Sequence, residues 1–147
     1  MRYILTLIAF LCILQADAQE IKVKRSQVII DGVPVLKYKK NRGLDVSFYS
    51  QRTNEELIYL TTKPFLHQPA AADEYIVVNF LGEGIKTETT YTDRINALTT
   101  HRIIERFVMW LWDNGVINSD GTLHPGNVRK FHAKYDDNIS SRMLLLP

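Results

Sequence analysis

The sequence predicts an α+β fold: a mainly antiparallel β-meander of about five or six strands, followed by two C-terminal helices packed on one face. Three observations predict it. Residues 20–91 alternate apolar and polar positions with the period of two that half-buried strands show. From Ile103 the apolar spacing lengthens to that of a broad helix face. Turn residues such as Asp31-Gly32 separate the strands, and no repeat or Pro/Gly/Ser-rich linker divides the chain.

Residues 1–18 read as a cleaved signal peptide. Arg2 supplies a positive charge, "ILTLIAFLCIL" (Ile4 to Leu14) is an unbroken apolar run, and Ala16-Asp17-Ala18 is a small-x-small cleavage site before Gln19. As a helix the run would reach about 16 Å, well short of a bilayer core of about 30 Å, so no transmembrane anchor is expected after cleavage. Lipidation at Cys12 is not expected either, because Leu11 stands where a small residue is needed. Residues 19–147 then form a single α+β domain, long enough for a real core. This mature chain keeps a net charge of +2, with 17 basic against 15 acidic residues. It has no cysteine, hence neither disulfides nor thiol chemistry, which suits a bacterial periplasm or the exterior of a bacterial cell. "NIS" at Asn138 matches a glycosylation sequon, which matters only in a eukaryotic secretory host.

Asp31-Gly32 between the β-branched runs of "VIIDGVPV" signals a hairpin. A two-residue turn there sets Ile30 against Val33, Ser26 against Lys37 and Lys24 against Lys39. Alternation assigns Ile21, Val23, Ile29, Pro34, Leu36 and Tyr38 to the core face. Pro34 cannot donate to a ladder, so its strand is expected at an edge or with the backbone N–H side of position 34 directed outward. "LDVSFYS" (44–50) and "ELIYLTT" (56–62) are the next strands. "YIVVNFL" (75–81), apolar on nearly both faces, reads as central. "GEG" (82–84) breaks it, and "IKTETTY" (85–91) is a polar candidate for one more strand. Thr99 or Thr100 is a suitable N-cap and Gly115 a suitable C′ residue for the first helix. A second helix opens near Pro125, with Val128, Phe131 and Tyr135 facing inward.

Motif by motif, the chemistry thins out. Asn118, Asp120 and Gly121 in "DNGVINSDGTLHPGN" have EF-hand offsets, but Val116 then takes the first ligand position and Asn127 the last. Without an oxygen at the first and a Glu at the last, the stretch reads as a turn between helices, and no metal is expected. His67, His101, His124 and His132 lack zinc spacing. His124, His132 and Asp136 are the residues around which a hydrolase-type site would form, yet no nucleophile elbow accompanies them. The acid pairs Glu55-Glu56, Asp73-Glu74 and Asp136-Asp137 sit in polar turns or helix ends and read as solvated. No phosphate-loop or dinucleotide fingerprint exists, so no cofactor is expected and the balance leans away from an enzyme. Trp110 and Trp112 lie about 200° apart on a helix, so they pack in different directions rather than line one pocket. The final leucines, Leu144 to Leu146, are expected to dock on the domain or on a partner.

One cluster carries a physical argument. Residues 20–42 hold seven basic and two acidic residues, leaving the rest of the mature chain at a net −3. Alternation projects Lys22, Lys24, Lys37 and Lys39 to one side of the first hairpin. Such a face suits an anionic envelope component or another envelope protein; it equally suits an edge strand guarded against aggregation. Nucleic acid is not expected, since export removes the chain from it and no aromatic interleaving is visible.

The cleavage pattern "ADAQE", the hairpin "VIIDGVPVLKYKK" and the ending "NGVINSDGTL…VRKFHAKYD" together resemble small uncharacterised secreted proteins of Bacteroidetes-type bacteria. The resemblance covers most of the mature chain and implies export and one α+β domain. It brings no activity, cofactor or catalytic residue. The reading from sequence is therefore an exported, non-enzymatic binding or interaction domain of the periplasm or envelope, with the hydrolase as alternative.

Overall fold

The computed structural model describes residues 20–65 and 74–144; the segment expected to be a signal peptide, residues 66–73 and residues 145–147 lie outside them. Seven antiparallel strands form one sheet in chain order: β1 (Ile21–Lys24), β2 (Gln27–Ile30), β3 (Val33–Lys40), β4 (Val46–Ser50), β5 (Glu56–Pro64), β6 (Glu74–Phe80) and β7 (Ile85–Thr89). The helices α1 (Thr100–Asp113), α2 (Pro125–Tyr135) and α3 (Ile139–Met143) follow. The class and the meander are those expected, with one strand beyond the expected range and a short extra helix.

The extra strand arises at Arg25-Ser26. Both residues take positive φ, 51° and 61°, and reverse the chain in a two-residue turn between β1 and β2. Turns of this kind favour Asn, Asp or Gly, so Arg-Ser gives no signal in sequence. The reversal puts Lys24 opposite Gln27 and not opposite Lys39. The Asp31-Gly32 turn does set Ile30 against Val33, but a bulge follows and Val28 pairs with Leu36. Turn and bulge each shift the alternation by one residue. The core side chains here are therefore Ile21, Val28, Ile30, Val35 and Leu36, while Ile29 is half-buried and Pro34 exposed. β3 is an interior strand rather than an edge. Pro34 is tolerated because the pairing of β3 with β4 begins only at Leu36↔Ser50.

The helices cover one face of the sheet. Thr99 caps α1 by accepting the Arg102 amide, and Gly115 at φ 65° follows its C-terminus. Phe107 of α1 stacks on Phe48 of β4 at 5.4 Å, and Phe131 of α2 meets Phe80 of β6 edge-on at 5.8 Å. Trp110 joins the two helices, with its ring 4.8 Å from both Phe131 and Tyr135. Trp112, turned away, is half-buried against the same core. Each fully buried side chain of this size contributes about 1.5–3 kcal/mol by leaving water.

β6 is apolar on both faces although it is next to the sheet's edge. The reason is α3, which lays Ile139 and Met143 over Tyr75 and Val77 on the face opposite α1 and α2, with Phe65 beside them. The edge itself, β7, is covered by the chain after α2. The Asp136 carboxylate accepts the Glu88 amide at 2.7 Å, the Asp137 amide donates to the Glu88 carbonyl at 2.7 Å, and the Asp137 carboxylate accepts the Thr90 amide at 2.8 Å. Asp136-Asp137 thus pairs an open strand edge instead of standing in solvent.

Candidate functional site

Register decides where the lysines go. Leu36, Tyr38 and Phe48 share the face under the helices, so Lys37 and Lys39 occupy the opposite one. The pairs Lys24↔Gln27 and Gln27↔Lys37 carry that face across to β1, and Lys22, two residues from Lys24, joins it. The four lysines therefore do share a face, spread over β1 and β3 with β2 between them. Gln27 separates Lys24 from Lys37 by two strand spacings, about 10 Å, so no two of these lysines oppose each other directly.

Two cross-strand rows define the face. One runs Lys24, Gln27, Lys37, Tyr49. The other runs Lys39, Ser47, Tyr59, Asn79, Lys86 across five strands. The second row contains no carboxylate, and the first meets one only at Glu56 of β5, opposite Tyr49. Lys22 forms an exposed 2.7 Å ion pair with Glu20, an arrangement worth little in water. Lys37 donates to the Asn54 side-chain carbonyl at 3.3 Å. Lys24 and Lys39 are exposed and have no partner among the described residues. Burial, helped by the neighbouring Asp45, holds the Tyr59 hydroxyl above the ordinary tyrosine value. The ring therefore stays neutral, and its hydroxyl remains a donor, throughout the physiological range.

The sheet face away from α1 and α2 has two halves. At β6 and β7 it is closed by α3; at β1 to β4 it carries the lysines. Under α3, on the edge strand β7, lies a group with no clear signal in sequence. Glu88 is 2% exposed, with Lys86 at 2.7 Å from Oε1 and the Ser140 amide donating to Oε2 at 2.6 Å. Burial alone would raise its carboxyl, but hydrogen bonds from Lys86 and Ser140 outweigh that and hold it below the ordinary carboxylate value. The same hydrogen bond holds Lys86 above its ordinary value. Alternation in "IKTET" could place Lys86 and Glu88 on one face; the helix that buries Glu88 was not foreseen.

The histidine group has structural partners. His124 caps α2, with Nδ1 accepting the Asn127 amide at 3.2 Å. His132 Nδ1 meets the Thr87 hydroxyl at 3.2 Å, and Asp136 holds the Glu88 amide. Thr87 is fully buried, so this hydroxyl is out of a substrate's reach. Among the described residues no three His, Cys, Asp or Glu side chains are placed to hold a metal. No helix there is long and apolar enough to cross a membrane.

"DNGVINSDGTLHPGN" folds as a miniature hairpin. Ile117 bridges Leu123, and the Asp120 carboxylate turns inward to the Thr122 amide at 2.9 Å and hydroxyl at 2.6 Å. These two bonds, the hydroxyl's being the larger influence, hold the Asp120 carboxyl below its ordinary value. Gly121 then presses against the bulge of β3: a Cβ there would sit 2.2 Å from the Val35 carbonyl oxygen. The stretch is an anchored joint between α1 and α2. Leu144, expected to dock on the domain or on a partner, does not dock on the domain, being 86% exposed; Leu145 and Leu146 lie outside the described residues.

No family model, curated protein or solved structure matches the chain.

Proposed function

We propose that the protein is a small exported, non-enzymatic binding domain of the bacterial periplasm or cell envelope. Its lysine-bearing sheet face meets an anionic envelope component such as phospholipid or lipopolysaccharide. The observation carrying this reading is the grouping of Lys22, Lys24, Lys37 and Lys39 on the half of the sheet that no helix covers, with Lys24 and Lys39 unpartnered among the described residues. Exposed like charges cost little there and attract a polyanion in proportion to low salt. The hydrolase alternative around His124, His132 and Asp136 is disfavoured because the hydroxyl that meets His132 belongs to the fully buried Thr87.

Replacing all four lysines with Gln tests the reading. Sedimentation with vesicles containing phosphatidylglycerol, at low salt, should show retention by the wild type and loss in the variant. Equal retention would sink the reading and leave Lys22 and Lys24 the role of guarding the β1 edge. Fractionation of the cells that make the protein tests export: the chain should appear outside the cytoplasm without residues 1–18, and an uncleaved cytoplasmic chain would refute it.

A further inference from the structure

Where β3 ends and α1 begins, a cavity of about 430 Å³ is lined almost entirely by donors. Lys39 and Lys40 come from β3 with Tyr38, Thr100 and His101 from the start of α1, and Ser26 from the β1–β2 turn. Ile104 supplies the apolar floor, and no carboxylate lines the space. Every polar lining side chain carries an N–H or O–H, and Lys40, on the helix-bearing face with Tyr38, brings its ammonium to the wall. We infer that this cavity is a binding site for a small oxyanion of the phosphate class.

Three features of the site favour an oxyanion over a neutral ligand. First, the charge is uncompensated inside the cavity. Lys40 donates to the Thr100 hydroxyl at 3.0 Å, which holds its ammonium at the wall without neutralising it. Secondly, burial keeps the Tyr38 hydroxyl above the ordinary tyrosine value, so it stays a donor at neutral pH. Thirdly, the first turn of α1 contains no acidic residue, although an acid is the side chain that a helix start stabilises best. Arg102, the next cation along, is already paired with Glu105 at 2.9 Å and does not compete. Several donors from three separate elements converge on one space, which is the arrangement that charge-assisted hydrogen bonding to a tetrahedral oxyanion uses.

The site is independent of the sheet-face reading. Lys39 borders both, but Lys40 and His101 belong only to the cavity, and Lys22, Lys24 and Lys37 only to the face. A phosphate group could reach it free in solution, as a soluble monoester, or on a lipid headgroup. The test is an amide NMR titration of the mature protein with inorganic phosphate, against sodium chloride at matched ionic strength. A second arm uses phosphatidylcholine vesicles with and without phosphatidic acid.

Expected are saturable shifts at residues 38–40 and 100–101 with phosphate and not with chloride. Lys40→Gln and His101→Gln should each weaken binding by about tenfold, the loss of one charge-assisted donor. Both residues are at the surface, so the variants keep the fold, and an unchanged far-UV spectrum verifies it. Perturbation of the same amides by phosphatidic acid vesicles supports the site and names the headgroup as source; a response to phosphate alone supports it with a soluble source. Shifts that grow linearly and are matched by chloride would overturn the inference. So would wild-type phosphate affinity in the Lys40→Gln, His101→Gln double variant.

Discussion

Gly121 offers a test of the packing that orients α2. It sits at φ +80°, and a Cβ built on it would lie 2.2 Å from the Val35 carbonyl oxygen and 3.3 Å from the carbonyl carbon. Gly32, in the turn between β2 and β3, has nearly the same backbone, φ +81°, yet nothing lies within 4 Å of its Cβ position. Alanine at either site bears the cost of a left-handed conformation, about 1–2 kcal/mol. Only at residue 121 must it also displace backbone of a buried strand, an overpacking cost of about 1–3 kcal/mol. Gly121→Ala should therefore lose about 2–5 kcal/mol, and Gly32→Ala about 1–2 kcal/mol. Equilibrium urea unfolding measures both, and comparable slopes would establish that the denatured states are alike. Gly121→Asn separates the two costs, because Asn tolerates positive φ but brings the same Cβ; it should recover most of the conformational cost and keep the overpacking cost of about 1–3 kcal/mol. If Gly121→Ala and Gly32→Ala were equally destabilised, the contact between the 118–121 turn and the β3 bulge would not hold the hairpin in place.

Two further outcomes follow from the core and the α3 side. Glu88→Gln removes a buried carboxylate whose folded value lies below the ordinary 4.5, so the ionised form stabilises the fold. That contribution is complete above about pH 4.5 and drains away as pH falls through the lower folded value. Urea unfolding of both proteins from pH 7 to pH 3 should show a gap that is widest near neutrality and closes in acid, and a gap independent of pH would contradict the assignment. Phe107→Ala empties the centre of the contact between α1 and β4 and should cost about 3–5 kcal/mol; calorimetry showing a loss under about 1 kcal/mol would mean that the helix does not pack there.

Much of this architecture was legible in residue order because local physics decides it. Alternation located β4 to β7 within a few residues, and the Thr99 cap and Gly115 bounded α1, since each of these signals acts within one or two turns of chain. Val116 and Asn127 disqualified the calcium loop before any coordinates, because ligand chemistry is a property of the side chain alone. The four lysines share one sheet face by a cancellation that alternation alone does not encode. The Arg25-Ser26 turn and the Val28/Ile29 bulge offset each other in parity between β1 and the far end of β3.

What sequence could not supply depends on which distant surfaces meet. Arg25 and Ser26 hold left-handed backbone that their own preferences disfavour, so only the sheet around them selects the turn. "YIVVNFL" is apolar on both faces because a helix more than sixty residues later covers the second one, not because the strand is central. Glu88 is polar by type and buried by the same helix. Asp136 and Asp137 look like solvated acids until the β7 edge comes to them. Sequence by itself determined the class and the element order. Tertiary structure alone decided the seventh strand, the buried Glu88, the covered β7 edge and the donor-lined cavity beside Lys40 and His101, because each is made by groups far apart in the chain whose meeting no local preference encodes.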